Sequence, residues 1–177
     1  MTQNNSLEEL LMVEMSRRNT DLVAGIVLQK RELFDQIMEV FLRNEEPVSR
    51  RAAWVADTVS EREPVLLAPH TGRIIAALGT FGHDGLKRHA LSMIRRSGFP
   101  EASAGELMNI CFEWLLSPDE AVAAKVYCMD ILYDLSEREP DLKNELRDSV
   151  EWRMEEESPG FRAHGKKVLA KLYRDLR

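Results

Sequence analysis

Asp57 has the chemically richest neighbourhood in this 177-residue chain. It follows Trp54 by three residues, so on a helix an indole ring and a carboxylate share one face. An isolated charge on an apolar face is costly. The carboxylate is therefore either held in an ion pair, with Arg50, Arg51 or an arginine further along, or acts as an acid in a groove beside Trp54. Arg51, Arg88, Arg95 and Arg96 are the bases that can converge near it as an anion-binding patch. The plainer alternative is a solvated face balanced by Asp57, Glu61 and Glu63. Further on the charge changes sign. Lys125 stands against Glu120, Asp130 and Asp134, with Tyr133 among them; Arg162, Lys166, Lys167, Lys171, Arg174 and Arg177 then restore positive charge. A groove that follows a phosphate backbone wants an unbroken basic stripe, whereas an interrupted one suits a protein segment of mixed charge.

Other chemistry finds little support. His70, His83, His89 and His164 do not fall at metal-ligand spacings, and His83 before Asp84 reads as a helix cap. Cys111 and Cys128 lie in apolar helical patterns, away from any CxxC or Cys/His cluster, and are expected as buried free thiols. There is no phosphate-binding glycine loop, no HExxH and no nucleophile elbow. The expectation is no metal, no cofactor and no catalytic residue. The net charge of −6 disfavours nucleic acid and anionic membrane as partners.

The elements that must position these residues are helices. Apolar residues make up 44% of the chain and charged ones 31%, and Gly and Pro are few, which favours one folded helical domain over a turn-rich β-sandwich. The pentapeptide Ser60-Glu61-Arg62-Glu63-Pro64 returns unchanged as Ser136-Glu137-Arg138-Glu139-Pro140. The helical patterns ahead of both copies also align. Small residues at Ala53, Ala90, Cys128 and Gly165 are spaced 37, 38 and 37 residues apart. Three positions earlier stand the bases Arg50, Lys87, Lys125 and Arg162, and three positions later the apolar Ala56, Met93, Ile131 and Val168. In this register His89 and His164 are equivalent, while Asp57 replaces the apolar Ile94, Leu132 and Leu169 of the other units.

Each such segment alternates with a second apolar stripe: Leu33, Phe34, Ile37, Met38 and Phe41; Leu66, Leu67, Ile74, Ile75 and Leu78; Leu107, Met108, Ile110, Cys111, Trp114 and Leu115; Leu142, Leu146 and Val150, with Trp152 beside it. Trp114 and Trp152 are expected in core or edge packing. Ser6-Leu7-Glu8-Glu9 predicts a capping box opening a first helix. A second helix is expected from about Thr20, capped by Asn19 or Thr20, running to Leu28 or on to Phe41 with a bend near Gln29–Arg31.

A register of 37–38 residues made of paired helices resembles the HEAT and armadillo-like family of α-solenoids, over about residues 20–177. The base, small and apolar residues of the second helix carry the resemblance, as does Asp119 six residues before Lys125; Phe81, six before Lys87, departs from it. The resemblance implies an all-α fold: a right-handed α-α superhelix of about four helical hairpins with an N-terminal cap, residues 1–19 forming the cap and 20–177 the repeats. The recurring bases then read as a ladder of surface ion pairs, worth about 0–1 kcal/mol each. In related solenoids the second helices line a concave face. Arg51, Trp54, Asp57, Arg88, Arg95, Asp130, Tyr133 and Lys167 are therefore the binding candidates.

The function this implies is a non-enzymatic scaffold that binds a protein or peptide partner. The alternative is a nucleic-acid-binding protein akin to the HEAT-like alkylbase DNA glycosylases, which use aromatic, acidic and basic residues of the types of Trp54, Asp57, Arg51 and Arg88. Met1-Thr2-Gln3-Asn4-Asn5 lacks the basic and apolar regions of a signal peptide, so a cytoplasmic chain with no membrane partner is expected. Polar ends favour a monomer: Leu7, Leu10, Leu11 and Met15 should pack inward at the N-terminus, and Lys166, Lys167 and Lys171 should solvate the C-terminal helix.

Overall fold

The computed structural model describes residues 6–177; the five residues read above as lacking a signal peptide lie outside them. The described residues are helical, with no strand: α1 (Leu7–Met12), α2 (Arg17–Gln29), α3 (Leu33–Leu42), α4 (Val48–Arg62), α5 (Thr71–Leu78), α6 (Asp84–Ser97), α7 (Ala104–Leu116), α8 (Val122–Ser136), α9 (Leu142–Met154) and α10 (Pro159–Asp175). Short 3-10 turns at Pro64–Leu66 and Ala68–His70 precede α5, and another at Glu101–Ser103 precedes α7.

The helices form two compact units that divide at Phe99 and Pro100. In the first, α3 pairs with α4 and α5 with α6, while the second helices α2, α4 and α6 stack in order and α1 rests on α2, α3 and α4. In the second, α7 pairs with α8 and α9 with α10, and α8 packs on α10. The four hairpins of the register are thus present. The two copies of the pentapeptide close α4 and α8 with the same serine contact, although α4 runs on to Arg62 and α8 stops at Ser136. Ser60 Oγ donates to the Asp57 carbonyl at 2.8 Å and Ser136 Oγ to the Tyr133 carbonyl at 2.7 Å.

The apolar stripes supply most of the cores, although Leu33, Leu66, Met108, Ile110 and Leu142 are only half-buried. Phe34, Ile37, Met38 and Phe41 are buried, as are Ile74, Ile75, Leu78, Leu107, Cys111, Trp114, Leu115, Leu146 and Val150. Both cysteines are buried free thiols. The small residues Ala53, Ala90, Cys128 and Gly165 are all buried between helices. A Cβ on Gly165 would lie 2.9 Å from Met154 Sδ and 3.2 Å from Val150 Cγ1, so only glycine lets α10 sit this close to α9. Gly165→Leu should therefore destabilise by about 1–3 kcal/mol, read from urea unfolding. Gly25 points its hydrogen into open space within α2. Gly25→Ala should stabilise by about 0.5–1 kcal/mol in the same measurement.

Several local expectations need correcting. The Ser6/Glu9 capping box is formed, but α2 starts earlier than expected because Ser16 caps it by accepting from the Asn19 N–H at 3.0 Å. Asn19 turns inward instead, and its amide donates to the Leu10 and Glu14 carbonyls, tying the chain after α1 to α2. A turn at Lys30–Glu32 separates α2 from α3, so there is no continuous bent helix. Met15 lies past the end of α1 and is exposed, as are Met12, Val13 and Leu22; the N-terminal end is less polar than expected. Trp152, placed beside the stripe and expected in core or edge packing, is 65% exposed. At the other end Val168, Leu169 and Leu172 face inward, and Lys166, Lys167 and Lys171 face solvent, as expected.

Lys125 departs furthest from a surface ladder. It is 1% exposed, and its Nζ donates to Glu157 Oε1 at 2.5 Å. Arg153, also buried, donates to the same oxygen through Nη2 at 2.6 Å and Nε at 3.2 Å. This buried triad joins α8 to the α9–α10 connection. Burial opposes charge on Glu157, but the hydrogen bonds and charges of Lys125 and Arg153 outweigh it and hold the carboxyl below the usual glutamate range.

Candidate functional site

The candidate residues of the first unit come together on α4 and α6. Asp57 projects from α4 toward α6 and is satisfied by three side chains. His89 Nδ1–H donates to Oδ2 at 2.8 Å, Arg96 Nη1 donates to Oδ1 at 2.8 Å, and Ser92 Oγ donates to Oδ1 at 3.1 Å. Arg96 Nη1 also donates to Ser60 Oγ at 2.6 Å. Of the two expectations for Asp57, the geometry shows the ion pair, and its partner is an arginine of the next second helix. Arg50 lies instead 3.3 Å from Glu46. Arg51 donates through Nη1 to the Leu11 carbonyl at 3.0 Å, which fastens the end of α1 to α4.

The chemistry of His89 follows from its second neighbour. Arg88 Nη2 lies 3.1 Å from His89 Nε2. A guanidinium has only donors, so Nε2 accepts and the imidazole proton sits on Nδ1, facing Asp57. In this arrangement Asp57 and Arg88 together fix the orientation of the ring. Trp54 lies nearly parallel to the same ring, with centroids 6.3 Å apart and planes at 21°. Burial is the largest influence on Asp57 and favours its neutral form. The donors His89 and Arg96 together prevail, and the carboxyl stays below the ordinary aspartate range. Asp57 is thus an ionised, fully hydrogen-bonded clasp between α4 and α6. Its oxygens are already committed, which leaves it poorly placed to take or give a proton.

Around this clasp Trp54 and Arg51 are half-buried, and Arg88 and Arg95 are exposed on α6. His83 caps α6 as expected, its Nδ1 accepting from the Gly85 N–H at 2.9 Å.

The remaining candidates lie in the second unit. His164 Nε2–H donates to Asp130 Oδ1 at 2.8 Å, so α10 clasps α8 through a histidine–aspartate pair as α6 clasps α4. Tyr133 OH donates to Asp175 Oδ2 at 2.7 Å, and Lys171 Nζ sits 4.8 Å above the Tyr133 ring. That hydrogen bond, to an acceptor that must be ionised, raises the Tyr133 phenol and lowers the Asp175 carboxyl. Lys143 also reaches Asp175, at 3.3 Å. Lys167 is exposed on α10.

Sequence reasoning placed Arg96 in a basic patch near Asp57 but did not pair the two, and it left out His89, Ser92, His164 and Asp175 as site residues. The signal for two of them was present. His89 and His164 each stand one residue before the small position of their repeat, and each meets an aspartate on the preceding second helix.

The described residues hold no group of three or more His, Cys, Asp or Glu placed to bind a metal ion. No helix among them is long and apolar enough to cross a membrane. Paired antiparallel helices in a 37–38-residue register, with second helices stacked and clasped to one another, define a helical-hairpin repeat protein. Residues 7–172 match the model of the HEAT repeat domain, and the chain belongs to the HEAT repeat family. No curated protein and no solved structure is matched by the chain.

Proposed function

We propose that this protein is an interaction scaffold that holds a segment of a partner protein against the face formed by α4 and α6. The observation that carries the reading is the state of Asp57. Its charge is consumed by His89, Ser92 and Arg96 in fixing one helix on the other. This leaves the half-buried indole of Trp54 on α4, with Arg51 on the same helix and Arg88 and Arg95 exposed on α6. Aromatic rings and arginines held rigidly by their neighbours are the side chains that dominate protein interfaces. HEAT repeats generally serve as such scaffolds. In the second unit Tyr133 and Lys167 extend the proposal, with Asp130 as the positioning partner of His164. Cytoplasmic residence and a monomeric chain belong to the same proposal.

The test compares the wild type with Trp54→Ala and Arg88→Glu, each checked for an unchanged melting temperature, in affinity capture followed by cross-linking. Recovery of a defined partner by the wild type, lost in both variants, supports the reading. A strong, salt-sensitive shift of DNA on a gel, with release of alkylated bases that is lost in Asp57→Asn, overturns it in favour of the glycosylase-like alternative.

A further inference from the structure

The two copies of Ser-Glu-Arg-Glu-Pro end equivalent helices, but the chain continues differently after each. After Pro64 it makes two 3-10 turns, Pro64–Leu66 and Ala68–His70, before α5 begins at Thr71. After Pro140 only Asp141 intervenes before α9. In the first unit the extra segment acts as a plug. Leu67 is fully buried. Three residues later His70 packs edge-on against Phe34 at 5.6 Å, and its Nε2–H donates to Asp35 Oδ1 at 2.9 Å. The segment thus covers the opening turn of α3 beside the end of α4, with one apolar side chain and one nitrogen donor aimed at a carboxylate.

The second unit has no such plug. Between the opening turns of α7, the end of α8 and the start of α9 lies a cavity of about 320 Å³. Its floor is apolar, formed by Ala104, Met108, Leu135 and Leu142, and its rim carries the carboxylates of Glu101, Glu139 and Asp141. Arg138 reaches Glu101 at 3.4 Å and offsets part of that charge. Gly105 lines the cavity and faces open space, since a Cβ there would meet no atom within 4 Å.

We propose that this cavity receives a short segment of a partner protein in which an apolar side chain is followed three residues later by a basic one. The occupant is defined by charge complementarity with the rim and by the chain's own plug. Leu67 and His70 have that spacing and supply that chemistry at the corresponding place in the first unit. Here, more carboxylates surround the opening, so lysine or arginine replaces histidine as the preferred donor. The site is separate from the α4/α6 face and does not depend on it.

The probe is an eight-residue peptide with the sequence of residues 64–71, made in three forms: unchanged, with His70→Arg and with His70→Glu. Binding to the full chain is followed by amide chemical shifts. The expected result is saturable shifts centred on Gly105, Met108, Leu135 and Leu142. The arginine form should bind about tenfold more tightly than the glutamate form. Gly105→Leu, which fills the mouth, and Asp141→Lys, which reverses part of the rim, should each weaken the arginine form by about tenfold while leaving the circular dichroism unchanged. The two variants fail independently if one disturbs folding. The proposal is overturned if the arginine form gives no shifts at these residues up to about 1 mM. Equal affinity of the arginine and glutamate forms, or indifference to both variants, overturns it as well.

Discussion

Replacing Glu157 with alanine is expected to destabilise the protein by about 3–5 kcal/mol, because it leaves Lys125 and Arg153 buried as two like charges without their shared carboxylate. Lys125→Met should cost less, since Glu157 keeps Arg153 as a partner and the methionine fills the space of the lysine stem. That ranking, measured by urea unfolding at neutral pH, separates a buried ion triad from a merely well-packed spot. The triad also has a pH signature. Glu157 is held below the usual glutamate range, so it binds fewer protons in the folded chain than in the unfolded one. Its contribution is complete above the unfolded-state value of about 4.3 and is lost as the pH falls through the lower folded value. The wild type should therefore lose stability on acidification below that point more steeply than Glu157→Gln does.

The second large effect is expected at Asp57. Asp57→Ala removes the acceptor of His89, Ser92 and Arg96 at once and should destabilise by about 2–3 kcal/mol. The distinctive readout is at His89. With its Nδ1–H partner gone, the tautomer is held by the exposed Arg88 alone, and the nitrogen-15 shift of Nδ1 should move as its hydrogen bond is lost. Asp57→Asn should retain part of the stability, since the amide oxygen can accept from His89 or Arg96 but carries no charge. If Asp57→Ala were as stable as the wild type and left that shift in place, the clasp between α4 and α6 would be held by apolar packing alone. The sign of the pH dependence is the same as for Glu157: a lowered folded value means stability lost toward acid.

Trp152 and Lys125 show where reading along the chain stops. Trp152 stands at the edge of the stripe that contains Leu146 and Val150, and a shift of one helical position separates a buried ring from one that is 65% exposed. Lys125 follows the same register as Arg50, Lys87 and Arg162, yet it is the one that is buried, because Glu157, itself held by Arg153, reaches it. A register assigns equivalent backbone positions, but it does not assign partners to side chains several bonds long.

The repeat register was enough to place the four helical hairpins and the family, though not the start of α2 or its break from α3. A stacking unit must present the same small and apolar residues to its neighbour each time, so Ala53, Ala90, Cys128 and Gly165 had to recur. It also narrowed Asp57 to a charge needing a partner, since no apolar core tolerates it alone. Only the tertiary structure decided that the partners are His89, Ser92 and Arg96, that Arg51 is tied to the Leu11 carbonyl, and that the second pentapeptide leaves a cavity where the first is plugged. The physical reason is reach. Backbone packing repeats with the sequence period, whereas an arginine or lysine head can meet any of several acids within its span. Which acid it meets depends on the rotation and offset of one helix against the next, and those are set by the sum of all the contacts between them.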